Sequence, residues 1–143
     1  KNISLNADLP VTTKVYILGD SRGIEHAFRN LIENAIKYTP EGGQVTVSSA
    51  EENGHICIEV SDNGPGIPNE KLEDIFKRFY RLSEYQDTAK GTGLGLFICR
   101  QIINAHQGVI YADSNLGKGT SIHILLPRNW SPDEKDISKE VHV

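Results

Sequence analysis

Between Ile24 and Ile36 the apolar residues fall at Ile24, Ala27, Phe28, Leu31, Ile32, Ala35 and Ile36. That spacing predicts a helix with one buried stripe. Ahead of it, Gly19-Asp20-Ser21 breaks the chain and offers side chains that can cap the helix start. Behind it, Thr39-Pro40-Glu41-Gly42-Gly43 stops the helix. The pattern then changes period. Val45 and Val47 alternate with polar residues, Asn53-Gly54 is a hairpin dipeptide, and Ile56, Ile58 and Val60 alternate again. An amphipathic helix running straight into a half-buried antiparallel pair has one economical solution, in which the helix stripe and one sheet face cover each other.

The rest of the chain extends this scheme. Asn2 to Asn6 alternates, with Ile3 and Leu5 on one face, and Val15 to Leu18 is a second short apolar run. Glu70 to Arg78 has the look of one or two short helical turns, and Leu82 to Lys90 is a polar loop. Leu94 to His106 has helical spacing, and Gly108 is placed to end that helix. Val109 to Ala112 and Ser121 to Leu126 read as a last pair of strands joined around Asn115 to Gly119. After Pro127 the chain is charged and poorly patterned. Residues 1–127 therefore read as one domain and 128–143 as a tail or linker. The fold class is α+β, a two-layer sandwich with one sheet covered on one face by helices.

With 143 residues the chain can bury a real core. A formal net charge of −4 argues against a nucleic-acid partner, though not against a phosphorylated ligand. Cys57 and Cys99 form no CxxC or Cys/His cluster, so a reducing compartment is the simpler reading. No signal peptide and no apolar run near 18 residues is visible. The chain starts at Lys1 and lacks Met, which suggests a piece of a longer protein whose other parts hold a sensor and any anchor.

Three stretches carry chemistry. In Asn30-Leu31-Ile32-Glu33-Asn34-Ala35-Ile36-Lys37-Tyr38, successive residues turn about 100°, so Asn30, Asn34 and Lys37 fall within roughly 60° of one another. They lie opposite the stripe of Phe28, Leu31, Ile32 and Ala35. An amide carbonyl is a neutral, hard ligand suited to Mg²⁺, and Lys37 can neutralise phosphate. In Asp62-Asn63-Gly64-Pro65-Gly66 a carboxylate stands beside permissive backbone. An ionised Asp only accepts hydrogen bonds, which suits the exocyclic amine of adenine and repels the carbonyl of guanine. Gly91-Thr92-Gly93-Leu94-Gly95-Leu96 opens a helix, where main-chain N–H groups can hold phosphate oxygens. Before it, Phe76-Lys77-Arg78-Phe79-Tyr80-Arg81 supplies aromatics to anchor a lid and cations to reach a terminal phosphate. Each stretch alone also fits an ordinary solvated helix face, turn or surface loop. Their order and spacing together point to an ATP site.

Other patterns fail. Gly19-Asp20-Ser21-Arg22-Gly23 matches GxSxG, but too little chain precedes it for a hydrolase sheet. Gly117-Lys118-Gly119-Thr120 misses the P-loop, with Ala112 where the first Gly belongs and Gly119 where Ser or Thr belongs. The dinucleotide fingerprint fails as well, with Asn69 or Ile98 at the last Gly position. His26, His55, His106, His123 and His142 form no metal spacing, and His26 on the first helix reads as structural.

Taken together, these residues resemble the catalytic, ATP-binding domain of sensor histidine kinases in the gyrase/MutL ATPase superfamily. Asn30 to Tyr38 is similar to the N box, Asp62 to Gly66 to the first G box, Phe76 to Phe79 to the F box, and Gly91 to Leu96 to the second G box. Gly117 to Thr120 resembles the closing glycine-threonine turn. The likeness spans about residues 2 to 127. It implies the Bergerat fold, a mixed and mostly antiparallel five-stranded sheet under three helices. It also implies that Asn34 binds Mg²⁺ with Asn30 beside it, and that Lys37, Tyr38 and Arg81 contact the phosphates. Asp62 would take the adenine amine, helped by Thr120 through water, with Gly64, Gly66 and Ile67 shaping that end. The backbone of Gly91, Thr92, Gly93, Leu94, Gly95 and Leu96 would wrap the phosphates, with Lys90 near the end of the lid. Asn30, Lys37 and Arg81 would be the catalytic set.

One substitution selects within the superfamily. Gyrase/MutL-type ATPases carry a water-activating glutamate four residues before the metal-binding Asn, and this chain has Asn30 there. An amide is no general base at neutral pH, so ATP should survive until a histidine on a partner helix arrives. The family's His-Glu-Leu/Ile-Arg-type acceptor run is absent. The expected partners are thus the dimerisation and histidine-phosphotransfer domain of the same protein and, through it, a response regulator. No nucleic acid or membrane contact is expected of this domain. It would be monomeric alone and would form the cytoplasmic part of a membrane-bound sensor. The alternatives are an anti-sigma-type serine kinase and a non-catalytic nucleotide- or partner-binding module.

Overall fold

The computed structural model describes residues 2–9, 16–81, 94–128 and 140–142. Lys90, Gly91, Thr92, Gly93 and the polar loop from Leu82, singled out from the sequence, lie outside these residues. Strands β1 (Ser4–Asp8), β3 (Gln44–Glu52), β4 (His55–Asp62), β5 (Val109–Asn115) and β6 (Gly119–Pro127) form one sheet in the order β1-β3-β4-β6-β5. β1 runs parallel to β3 and every other pairing in this sheet is antiparallel. Helices α1 (Ser21–Tyr38) and α2 (Gly95–Ala105) lie on it, with two 3₁₀ turns, Asn69–Lys71 and Asp74–Phe76, completing the helical layer. The five-stranded mixed sheet under a helical layer matches the expected two-layer sandwich.

Local chemistry sets the boundaries. Asp20 is the N-cap of α1, its carboxylate accepting from the Arg22 N–H at 3.1 Å. At the other end Thr39, fully buried, donates both its N–H (3.0 Å) and its hydroxyl (2.7 Å) to the Ala35 carbonyl. Pro40 then forces Thr39 into an extended conformation and the helix cannot continue. Asn53 (φ 52°) and Gly54 (φ 75°) make the two-residue, doubly left-handed turn that their dipeptide predicts, joining Glu52 to His55.

α1 buries Ile24, Ala27, Leu31 and Ala35, and α2 buries Cys99 and Ile103. They meet Val45, Ile56, Ile58, Val60, Ile110, Ile122, Ile124 and Leu126 from alternate positions of the sheet. Phe28, Ile32 and Ile36 are only partly buried against this core. The two helices are also joined by polar contacts. The Asp20 N–H donates to Nε2 of His106 at 2.9 Å, while Nδ1 of His106 meets the Ile102 carbonyl at 2.7 Å. His106 is thus structural, tying the end of α2 to the start of α1.

Two details depart from the sequence reading. α2 does not end on a left-handed glycine. Gln107 holds that conformation (φ 60°), and the N–H groups of Gln107 and Gly108 return to the carbonyls of Asn104 (3.0 Å) and Ile103 (2.9 Å). This is the paired-bond C-terminal cap with Gly108 one place later. The segment read as a tail or linker also contains a strand, β7 (Glu140–His142), antiparallel to β2 (Tyr16–Leu18). Three residues amid charged sequence give no alternation long enough to mark it.

Candidate nucleotide site

A cavity of about 420 Å³ opens between α1, the ends of β4 and β6, the 3₁₀ turns and the start of α2. It gathers most of the residues singled out from sequence. Asn30, Asn34, Lys37 and Tyr38 line it from α1. Asp62, Gly66 and Ile67 line it from the loop after β4, and Thr120 from β6. Arg81 lines it beyond the 3₁₀ turns, and Leu94, Gly95 and Leu96 from the start of α2. Gly64 is the exception. It is buried beside the cavity rather than on its wall, and its N–H is given to Asp62.

α1 meets the cavity side-on. Leu31 and Ala35 from its buried stripe form part of the wall next to Asn30 and Asn34. The amides therefore sit at the edge of the apolar stripe, not on a detached polar face. Val60, Ile75, Ile98 and Ile122 complete an apolar interior on which these polar groups converge, the usual character of a small-molecule site.

Asp62 is held by its backbone. Its Oδ1 accepts from the N–H groups of Gly64 (2.9 Å) and Thr120 (3.3 Å). Burial pushes its carboxyl above the ordinary aspartate value, and these two bonds only partly oppose that rise. Register explains the second bond, since Asp62 and Thr120 are direct partners across β4 and β6. Close packing explains the glycines. A Cβ on Gly66 would come within 2.4 Å of the Asn115 carbonyl oxygen, so the loop after β4 lies flush on the β5–β6 turn. The Gly117 N–H donates to the Pro65 carbonyl at 2.7 Å and fastens the two together.

Ser114 is the residue that sequence reasoning missed. Its hydroxyl accepts from the Ile67 N–H (2.8 Å), donates to the Gly119 carbonyl (2.8 Å) and meets the Thr120 hydroxyl (2.9 Å). Donation to Gly119 leaves Thr120 as the donor in the last bond. A lone Ser on a strand carries no signal in sequence, because its role depends on the turn that brings β6 back beside it and on Ile67, 47 residues away. Ser114→Ala should strip three contacts from half-buried groups and cost about 1–3 kcal/mol of stability. ATP affinity should fall about threefold to tenfold, since Thr120 and Ile67 lose their common support. Thermal unfolding and calorimetric titration check both.

At the start of α2, the Ile98 N–H reaches the Leu94 carbonyl at 2.8 Å. The N–H groups of residues 95–97 thus have no intrahelical acceptor, and Gly95 and Leu96 are on the cavity wall. Among the described residues, nothing lies within 4 Å of where a Cβ on Gly95 would be. Such a terminus suits phosphate oxygens. His26 and Glu33, both exposed, stand at the rim of the cavity. Among the described residues no group of three or more His, Cys, Asp or Glu could hold a metal ion.

The two-layer fold and this cavity define the class of ATP-binding domains to which histidine kinase catalytic domains belong. The chain belongs to the histidine kinase-, DNA gyrase B- and HSP90-like ATPase family, whose model matches residues 19–129. It is 41% identical over 128 residues to the adaptive-response sensory kinase SasA of Synechocystis sp., covering 89% of this chain and 33% of that protein. It is 40% identical over 126 residues to sporulation kinase C of Bacillus subtilis, covering 88% of this chain and 28% of that protein. The chain thus spans about a third of the length of the curated relatives it matches. Among solved structures it is similar to the mycobacterial sensor histidine kinase MprB, at 34% identity and a TM-score of 0.75 over 87% of this chain and 81% of that one. The catalytic domain of the histidine kinase ThkA gives 31% identity and a TM-score of 0.74 over 88% and 80%. A structure of ThkA in complex with the response regulator protein TrrA also aligns, at 27% identity and a TM-score of 0.71, over 93% of this chain and 36% of that one. No described helix is long and apolar enough to cross a membrane.

Proposed function

We propose that this chain is the catalytic half of a sensor histidine kinase, passing the γ-phosphoryl group of ATP to a histidine on a separate helical dimerisation domain. The observation that carries the reading is a single cavity that joins Asp62 and Thr120 to Asn30, Asn34, Lys37, Arg81 and the open start of α2. The acceptor imidazole would form a bond to the γ-phosphorus as the bond to the β,γ-bridging oxygen breaks, and ADP leaves with that electron pair. Asp62 would select adenine through its amine. Lys37 and Arg81 would balance charge on the phosphates, and the N–H groups at the start of α2 would orient them. Positioning and charge neutralisation of this kind supply most of the catalysis in phosphoryl transfer.

The donor set fits Mg²⁺. Asn34, with Asn30 one turn away, offers neutral amide oxygens, which suits an ion that keeps several waters and phosphate oxygens. When bound, the ion would neutralise negative charge on the triphosphate. Position 30 carries an amide, and Glu33, the carboxylate next to Asn34, is exposed at the rim rather than enclosed. The site is therefore poor at activating water, which favours transfer to a protein acceptor over hydrolysis.

The nucleotide-binding unit would comprise residues 1–127, with 128–143 as a C-terminal segment that returns one strand to β2. In the whole protein its partners would be the acceptor domain and, through it, a response regulator. Labelled ATP mixed with the chain and a separately supplied acceptor domain tests the proposal. Acid-labile, base-stable label on that domain is the expected result. Acid-stable label would point to a hydroxyl acceptor, and no transfer with ATP bound would leave only a nucleotide-binding module.

A further inference from the structure

Arg100 lies on α2 outside the cavity, yet it touches the segment that carries three cavity residues, Ile75, Tyr80 and Arg81. Its guanidinium stands 4.3 Å from the centroid of the Phe76 ring. Its two terminal nitrogens reach the Glu73 carboxylate at 3.1 and 3.4 Å. Phe76 is almost fully buried, and the Arg100 side chain is 26% exposed. The Glu73 side chain is 77% exposed, so the ion pair is weak and the ring contact is the stronger part of the clamp.

From this clamp the chain runs stiffly to the cavity. Ile75, between the clamped residues, is itself part of the wall. Asp74 pairs with Lys77 at 2.6 Å, and the Lys77 carbonyl accepts from the Tyr80 N–H at 3.2 Å. Phe79 takes the left-handed position in that turn (φ 63°). Tyr80 and Arg81, directly after the turn, line the cavity. The same helix that bears Arg100 begins on the cavity wall, which Gly95 and Leu96 also line. Arg100 thus links the segment that leads to a cation-bearing wall with the helix whose start presents N–H groups.

We propose that Arg100 is a positioning residue for the phosphate end of the site, acting through Phe76 and Glu73 to hold Tyr80 and Arg81 against the start of α2. This rests on the nucleotide reading above. It sets Arg100 apart from ordinary surface arginines by predicting a selective effect. Losing the clamp should loosen the grip on phosphates and spare the nucleoside, which is held at Asp62 and Thr120.

The test compares ATP with adenosine on the 143-residue chain, by calorimetry for ATP and ligand-observed NMR for adenosine. Arg100→Met keeps an unbranched apolar stem over the Phe76 ring and removes the charge. ATP affinity should fall about fivefold to tenfold while adenosine affinity stays within about twofold. Arg100→Lys should recover most of the loss, because a cation returns to the ring face. Equal losses for both ligands, no loss, or no recovery with Lys would each overturn the proposal. Should Arg100→Met not fold, Glu73→Gln at its exposed position must move the ATP-to-adenosine ratio the same way by about twofold, and an unchanged ratio overturns the proposal. If the unaltered chain binds neither ligand, the nucleotide reading itself fails, which is a different result.

Discussion

Asp62→Asn should weaken ATP binding about 10- to 100-fold and at the same time stabilise the protein at neutral pH. The first effect follows from losing a charge-assisted hydrogen bond, worth about 1.5–3 kcal/mol. Asn can keep its amide oxygen under the N–H groups of Gly64 and Thr120, because both bonds fall on the same atom, Oδ1. Its other terminus then becomes an NH₂ donor facing the adenine amine, another donor. Hypoxanthine offers a carbonyl at that position, so ITP should lose far less than ATP and the preference between them should shrink or reverse. Calorimetric titration of both nucleotides, on the unaltered chain and the variant, measures this. Unchanged ATP affinity would remove Asp62 from the adenine contact.

The second effect is one of linkage. Burial raises the Asp62 carboxyl above its unfolded value, so the charged form is the one that folding penalises. The group's favourable contribution is fully present below its unfolded pKa and is lost as pH rises through the raised folded value. The penalty grows as pH rises through that folded value, and a neutral side chain of the same shape avoids it. The melting temperature of Asp62→Asn should therefore exceed that of the unaltered chain at pH 7. The gap should close as acid protonates Asp62. A gap that stayed constant with pH would mean that the stabilisation has another source. A binding group retained at a cost in stability is common at functional sites.

Legibility in the sequence followed the range over which each interaction acts. α1, the Asn53-Gly54 hairpin and the short turns after Pro68 rest on neighbours a few residues apart, and their signals are local. The place of Asp62 on the cavity wall is also readable, because a carboxylate among glycines and prolines after a strand is unusual within a short window. Ser114 and Arg100 were silent. Each works through partners tens of residues away, Ser114 through Ile67 and Arg100 through Glu73 and Phe76. The end of α2 shows the same limit in miniature. Gly108 looked like the left-handed residue by composition, but the two return bonds to Asn104 and Ile103 place Gln107 there. The side-on meeting of α1 with the cavity was hidden for a related reason. A helical wheel separates polar from apolar sides, whereas the opening of a cavity depends on how deeply the neighbouring elements cover the stripe.

Gly119→Ala should be the most damaging single added methyl among the described glycines. Gly119 has φ 128°, where an L side chain is strained. A Cβ there would stand 1.9 Å from the Asp62 carbonyl oxygen and 2.9 Å from the Cα of Asn63. Those are backbone atoms, and no rotamer change can move them aside. The conformational strain costs about 1–3 kcal/mol and the overlap a similar amount, out of a total stability of about 5–15 kcal/mol for a domain of this kind. Relief requires β4 and β6 to part where Asp62 faces Thr120, and the 3.3 Å bond between them is the first to go. Binding should therefore fail along with stability, leaving ATP affinity at least as low as in Asp62→Asn. Gly117→Ala is the control two residues earlier. It has φ 80° but no described residue within 4 Å of the added atom, so it should cost only about 1–2 kcal/mol of strain and leave ATP binding close to normal. Unfolding and titration of the pair separate the two causes. If Gly119→Ala bound ATP as well as Gly117→Ala, the close approach of β6 to Asp62 would not be what holds the adenine end together.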